Sequence, residues 1–63
     1  MVITLKAARV NKNFTQDYVA KKLNVTKKTI GSWESGKTSP DTKYVGMLCE
    51  LYGASYNDIN WNA

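Results

Sequence analysis

There is no histidine in this chain, and it has one cysteine, Cys49, and one proline, Pro40. A lone thiol forms no intramolecular disulfide, and one cysteine without histidine cannot supply the ligands of a structural zinc site. The side chain that most often serves as a general base is missing. The acids Asp17, Glu34, Asp41, Glu50 and Asp58 are scattered, with no close pair in sequence. Nothing in this inventory proposes a reaction, so neither an enzyme nor a cofactor or metal is expected, and no small-molecule ligand is evident. No stretch approaches the run of about 18 apolar residues that spans a bilayer, and the start, MVITLKAARV, lacks the long apolar region of a secretory signal. The expectation is a cytoplasmic protein with no membrane partner.

What is present is basic. Nine Lys and Arg against five acids leave a net charge of +4 on 63 residues, a bias towards anionic partners that does not by itself separate nucleic acid from a solubility charge. The length allows one domain at most, residues 1–63. A chain this short buries only about 60% of the surface that it exposes when unfolded, so its core must be economical.

The punctuation divides the chain into four segments of helical period. Thr4 can cap a first helix running to about Asn11, with Leu5, Ala8 and Arg9 on one face, although Val2 and Ile3 before it favour extended structure. Thr15 caps a second over Gln16 to Leu23, where Val19, Ala20 and Leu23 form the apolar stripe and Asp17 suits the helix dipole. Thr26 caps a third over Lys27 to Ser35. There Ile30, Trp33 and Glu34 share one side, Lys27, Lys28, Gly31 and Ser32 the other, and Gly36 is the stop. A fourth follows Pro40 from Asp41 to Tyr52, with Val45, Leu48, Cys49 and Tyr52 in register, and ends at Gly53. Ser55 can start a last short turn ending at Ile59. No stretch alternates for long enough to read as a strand, so the class is all-α. Leu5, Ala8, Phe14, Val19, Ala20, Leu23, Val25, Ile30, Trp33, Val45, Leu48 and Ile59 are the expected core.

Only Asn24-Val25-Thr26 joins the second segment to the third. Helices joined by about three residues cross steeply, as in a helix-turn-helix. The bend needs a positive φ, which Asn tolerates better than any residue but Gly. Val25 closes the corner, and Ala20 is small enough for close crossing.

The run Phe14-Thr15-Gln16, Val19-Ala20, Leu23-Asn24-Val25-Thr26, Thr29-Ile30, Trp33-Glu34 and Gly36 resembles the Cro and phage-repressor (XRE) family of helix-turn-helix proteins. Pro40, Val45, Leu48-Cys49, Gly53-Ala54-Ser55 and Ile59 continue the resemblance at matching spacing, so it covers about Leu5 to Ile59. It implies a lambda-repressor-like bundle of five short helices and binding of a double-stranded DNA operator, commonly as a homodimer. With the small size, it also points to a phage or mobile element in a bacterial cell. Two departures are visible: Asn24 stands at the usual turn glycine, and Cys49 at a usual alanine. Lysines replace the glutamines often found at base-reading positions, so the target sequence does not carry over.

The resemblance places Lys27 and Lys28 in the major groove, where lysine donates to guanine O6 and N7 or pairs with phosphate. Ser32 matches a base-contact position. Gly31, costly inside a helix by roughly 1 kcal/mol, either allows close approach to a base pair or is an exposed position of no consequence. Gln16 matches a phosphate-binding position at a helix start, and Thr26, Thr29, Ser35, Lys37 and Thr38 are further phosphate candidates, Thr29 with packing as its other reading. Arg9 and Glu34 resemble the family's internal ion pair. Leu51, Tyr56 and Trp61 have no obvious core position, and exposed aromatics suggest self-association, so they are the expected dimer interface. For Trp61 the other reading is that it covers its own core. A second reading of the whole keeps the fold but makes the partner a protein, as for an antitoxin or anti-repressor. The basic face of Lys27, Lys28 and Lys37 favours DNA over that reading.

Overall fold

The computed structural model describes residues 2–61. Four helices follow one another: α1 (Leu5–Asn11), α2 (Gln16–Leu23), α3 (Lys27–Ser35) and α4 (Thr42–Tyr52). Short strands lie outside them, β1 (Ile3–Thr4) before α1 and β2 (Ile59–Asn60) after a 3-10 turn at Tyr56–Asp58.

Threonine starts three of the helices. The hydroxyls of Thr4, Thr15 and Thr26 accept from the amides of Ala7, Tyr18 and Thr29 at 3.0, 3.0 and 3.2 Å, each satisfying one of the donors that a helix start leaves over. Asp41 precedes α4 in extended conformation but makes no such bond. One motif ends all four helices. Asn13, Asn24, Gly36 and Gly53 have φ of 60, 59, 81 and 65°. The amide just after each returns to a carbonyl five residues back: Phe14 to Arg9, Val25 to Ala20, Lys37 to Ser32 and Ala54 to Cys49, at 2.9–3.2 Å. This left-handed closure is normally accompanied by an apolar contact from the residue that follows it. Phe14, Val25 and Ala54 make that contact, all packed against the core. Only Lys37, on the exposed side of the α3 end, departs from it.

The core is built from Leu5, Ala8, Val19, Ala20, Leu23, Ile30, Trp33, Leu48, Tyr52 and Ile59, all buried. Phe14 and Val25 reach it only half-buried, as does Ile3; Val45 is half-buried on the flank of α4. Tyr52, which the sequence shows only as part of a helical period, is as buried as Leu5.

Two expectations need correction. The chain is not free of strand: β1 and β2 pair in parallel, Ile3 opposite Ile59 and Thr4 opposite Asn60. Two residues are too few to display alternation, and what sets the pairing is tertiary, since Ile59 is buried and Ile3 packs beside it. The bundle also has four α-helices rather than five. The fifth is the single 3-10 turn after Ser55, closed by a capping box in which the Ser55 amide donates to Asp58 at 3.3 Å. The class remains all-α.

Candidate nucleic-acid interface

α3 divides cleanly into two sides. Ile30 and Trp33 are buried against α1 and α2, and Trp33 meets Tyr44 of α4 with ring centroids 5.3 Å apart. On the other side Lys27 and Lys28 are exposed, and Gly31 and Ser32 are half-buried. These four, with Gln16 from the start of α2 and Ser35 and Lys37 from the end of α3, line one open depression of about 440 Å³. Three of its lining residues are cationic and none is anionic. Gly31 lies on its floor, where a Cβ would meet the Gln16 Nε2 at 3.9 Å, an ordinary contact.

Behind the depression an ion pair holds α3 in place. The Arg9 Nε donates to the Glu34 Oε2 at 2.6 Å and its Nη2 to Oε1 at 3.2 Å, while Nη1 donates to the Phe14 carbonyl at 2.8 Å. The side chains keep 11% and 6% of their exposure. The bidentate geometry is the strong form of this interaction, and it joins α1, the α1–α2 turn and α3. The hydrogen bond to Glu34 raises the Arg9 pKa further, against the opposing effect of burial. Burial is also the main cause that pushes the Tyr52 hydroxyl up to about 12, with the nearby Glu34 charge adding to it.

Gln16 occupies a place that its sequence position does not disclose. Its Nε2 donates to the Glu34 Oε1 at 3.0 Å, so the residue both lines the depression and extends the ion pair. The amide is therefore already held in orientation, with one donor hydrogen engaged. The other candidates divide. Thr26 caps α3, and its hydroxyl lies 2.9 Å from that of Thr29. Ser35 donates to the Ser32 carbonyl at 3.2 Å. Thr38 is exposed beyond the end of α3. Thr26, Thr29 and Thr38 flank the depression without lining it.

Leu51, Tyr56 and Trp61 differ in exposure. Leu51 and Trp61 are half-buried and pack against the core, and Tyr56 is 59% exposed. The Trp61 ring stacks on Tyr56 at 5.5 Å, and its indole nitrogen donates to the Tyr56 carbonyl at 2.9 Å. Trp61 thus packs over its own core.

A helix-turn-helix family model matches residues 5–59, which takes in all four helices and the turn between α2 and α3. The chain belongs to the XRE-type helix-turn-helix family. Curated relatives of this helix-turn-helix protein carry names of one kind. An uncharacterized HTH-type transcriptional regulator of Methanocaldococcus jannaschii is 38% identical over 55 residues, 87% of this chain and 83% of the relative. An uncharacterized HTH-type transcriptional regulator derived from the SPbeta prophage of Bacillus subtilis is 35% identical over 51 residues, 81% of this chain and 47% of the relative. The HTH-type transcriptional activator BcrR of Enterococcus faecalis is 29% identical over 55 residues, 87% of this chain and 27% of the relative. The chain therefore spans less than half of the last two. No solved structure matches it. Among the described residues, no helix is long and apolar enough to cross a membrane.

Proposed function

We propose that this helix-turn-helix protein is a DNA-binding transcriptional regulator that reads double-stranded DNA by sequence, with α3 in the major groove. The observation that carries this reading is the depression itself. A cationic, acid-free concavity is built on the exposed side of α3 directly opposite its buried side, and it is wide enough to meet an anionic surface. Lys27 and Lys28 at the start of α3, with Gly31 and Ser32 one turn on, face the base edges. Gln16, Ser35 and Lys37 line the rim and meet the sugar–phosphate backbone, joined by Thr26, Thr29 and Thr38 beside it. Phosphate contacts set position and base contacts set sequence.

Within this reading the protein acts as a Cro-like repressor. Occupying an operator that overlaps a promoter blocks transcription without any further surface. A homodimer places two copies of α3 about 34 Å apart along one face of the duplex, so its site is a palindrome. Its contacts come from α4, where Leu51 keeps part of its exposure.

The test is selection of bound duplexes from a random pool at about 0.15 M salt, repeated with Lys28→Ala. The expected result is a two-fold symmetric site that loses its preference at one position in each half-site when Lys28 is removed. A uniform loss with a salt slope smaller by about one would move Lys28 to phosphate. Selection of no sequence would overturn the reading.

A further inference from the structure

The face of the molecule formed by the end of α2 and the middle of α4 plays no part in the depression on α3. Lys22, Leu23, Met47, Glu50 and Leu51 line a second open groove there, of about 410 Å³. Its floor is apolar. Met47 is 38% exposed, and Leu51 is half-buried. Methionine is the side chain that adapts most readily to an opposing apolar surface. The two rims differ in sign. Lys22 rises from α2, its ammonium 5.4 Å from the centre of the exposed Tyr18 ring, and Glu50 rises from α4. Among the described residues the ion pair is Arg9 with Glu34, and the Glu50 carboxylate has no ionic partner among them.

We propose that this groove receives a second copy of the same chain, related by a two-fold axis through the Met47–Leu51 floor. In such an interface the same patch is used twice, so that a residue touching another across the axis is touched back by its counterpart. A groove with one basic and one acidic rim meets that condition: the axis lays Lys22 of each copy against Glu50 of the other, twice, over a shared apolar strip. On a chain of net charge +4, two rims of the common sign would repel their own copies. An acid on the second rim removes that repulsion and fixes the register of the two copies, which is the usual work of charge at an interface. Leu51 connects this groove to the end of α4, so the proposal deepens, and rests on, the dimer reading above by naming the face that makes it.

The experiment is sedimentation equilibrium of the whole chain without DNA, over a range of concentrations, for wild type, Lys22→Glu, Glu50→Lys and the double exchange. All positions are surface positions, and matching thermal unfolding curves establish that the variants fold. Wild type is expected to pass from monomer to dimer mass as concentration rises. Each single exchange sets like charges against each other and weakens dimerisation about tenfold or more, while the double exchange restores it because the pair is re-formed with its signs reversed. Tyr56→Ser is expected to leave the dimer unchanged. A monomer mass at every concentration overturns the proposal. So does a double exchange no better than either single one, or a dimer insensitive to both charges and lost in Tyr56→Ser. The readout uses no DNA, so its failure is separate from failure of the operator reading. A chain that dimerises with charge rescue but selects no sequence loses only the latter.

Discussion

Replacing Glu34 with alanine should unfold a large part of the population, and the structure indicates how much. Three hydrogen bonds disappear, two from Arg9 and one from Gln16. Gln16 is half-buried at the edge of the depression, so water can replace its lost partner at little cost. Arg9 is in a different position. Its side chain retains 11% of its exposure and keeps only the Phe14 carbonyl, so a full positive charge stays in place with its counter-charge gone. Breaking a buried pair from one side costs about 3–5 kcal/mol. The remaining exposure of Arg9 places this case at the lower end, about 3 kcal/mol.

That loss is large beside the total. At about 0.05–0.15 kcal/mol per residue, a chain of this size has a few kcal/mol of stability to lose. Urea unfolding of Glu34→Ala against wild type measures the difference. A change below about 0.5 kcal/mol, the range of ordinary surface substitutions, would refute the view that the pair is buried and that α3 is held by it. Arg9→Met combined with Glu34→Leu separates charge burial from packing. Replacing both partners removes the stranded charge and should recover most of the loss. The Phe14 carbonyl then lacks its donor, so a deficit of about 1 kcal/mol should remain.

Asn24 holds φ at 59°; Asn24→Ala should cost about 1 kcal/mol in urea unfolding because a Cβ without a local polar partner resists that conformation, whereas Asn24→Gly should equal or exceed wild type. Thr26→Ala removes the acceptor at the start of α3 and should cost about 1 kcal/mol, with amide exchange in the first turn of α3 rising first. The Tyr52 hydroxyl is pushed up to about 12 in the folded chain from about 10 when unfolded. Its contribution to stability is therefore complete below pH 10 and disappears as the pH rises towards 12. The melting temperature should fall over that window in wild type, and less in Tyr52→Phe. Lys37→Ala should lower DNA affinity about equally for all sequences and reduce the salt slope by about one; a change of sequence preference would place Lys37 on a base instead.

The helices were legible because local chemistry and tertiary packing agree on them. Thr15 and Thr26 cap, Asn24 and Gly36 stop, and Val19, Ala20, Leu23, Ile30 and Trp33 recur at helical spacing. Each signal lies within a few residues of what it determines, so α2 and α3 can be read to their ends. The same closure at Asn13 was present in the sequence as Asn followed by Phe14, the pattern repeated by Asn24 and Val25. Asn24 discloses the sharper bend, because only Asn24-Val25-Thr26 joins its two helical periods. The β1–β2 pair has no local signal at all. Its strands are separated by the whole bundle and are brought together only when Ile59 is buried beside Ile3.

Gln16 shows where a linear reading of a site stops. Its position at a helix start suggests a phosphate contact, and nothing nearby in sequence argues otherwise. Its partner in the fold is Glu34, eighteen residues away, and through it Arg9. One amide therefore belongs both to the surface that would meet DNA and to the part-buried pair that joins α3 to α1. Such a residue couples the core to the surface: the wall of the depression is hydrogen-bonded to the ion pair behind it. The lysines differ in kind. Lys27, Lys28 and Lys37 are exposed and have long, mobile stems, so sequence discloses their charge and side of the helix without fixing where the ammonium groups rest. Preorganisation in this surface resides in Gln16 and the α3 backbone, and the cations supply attraction that adapts to the partner.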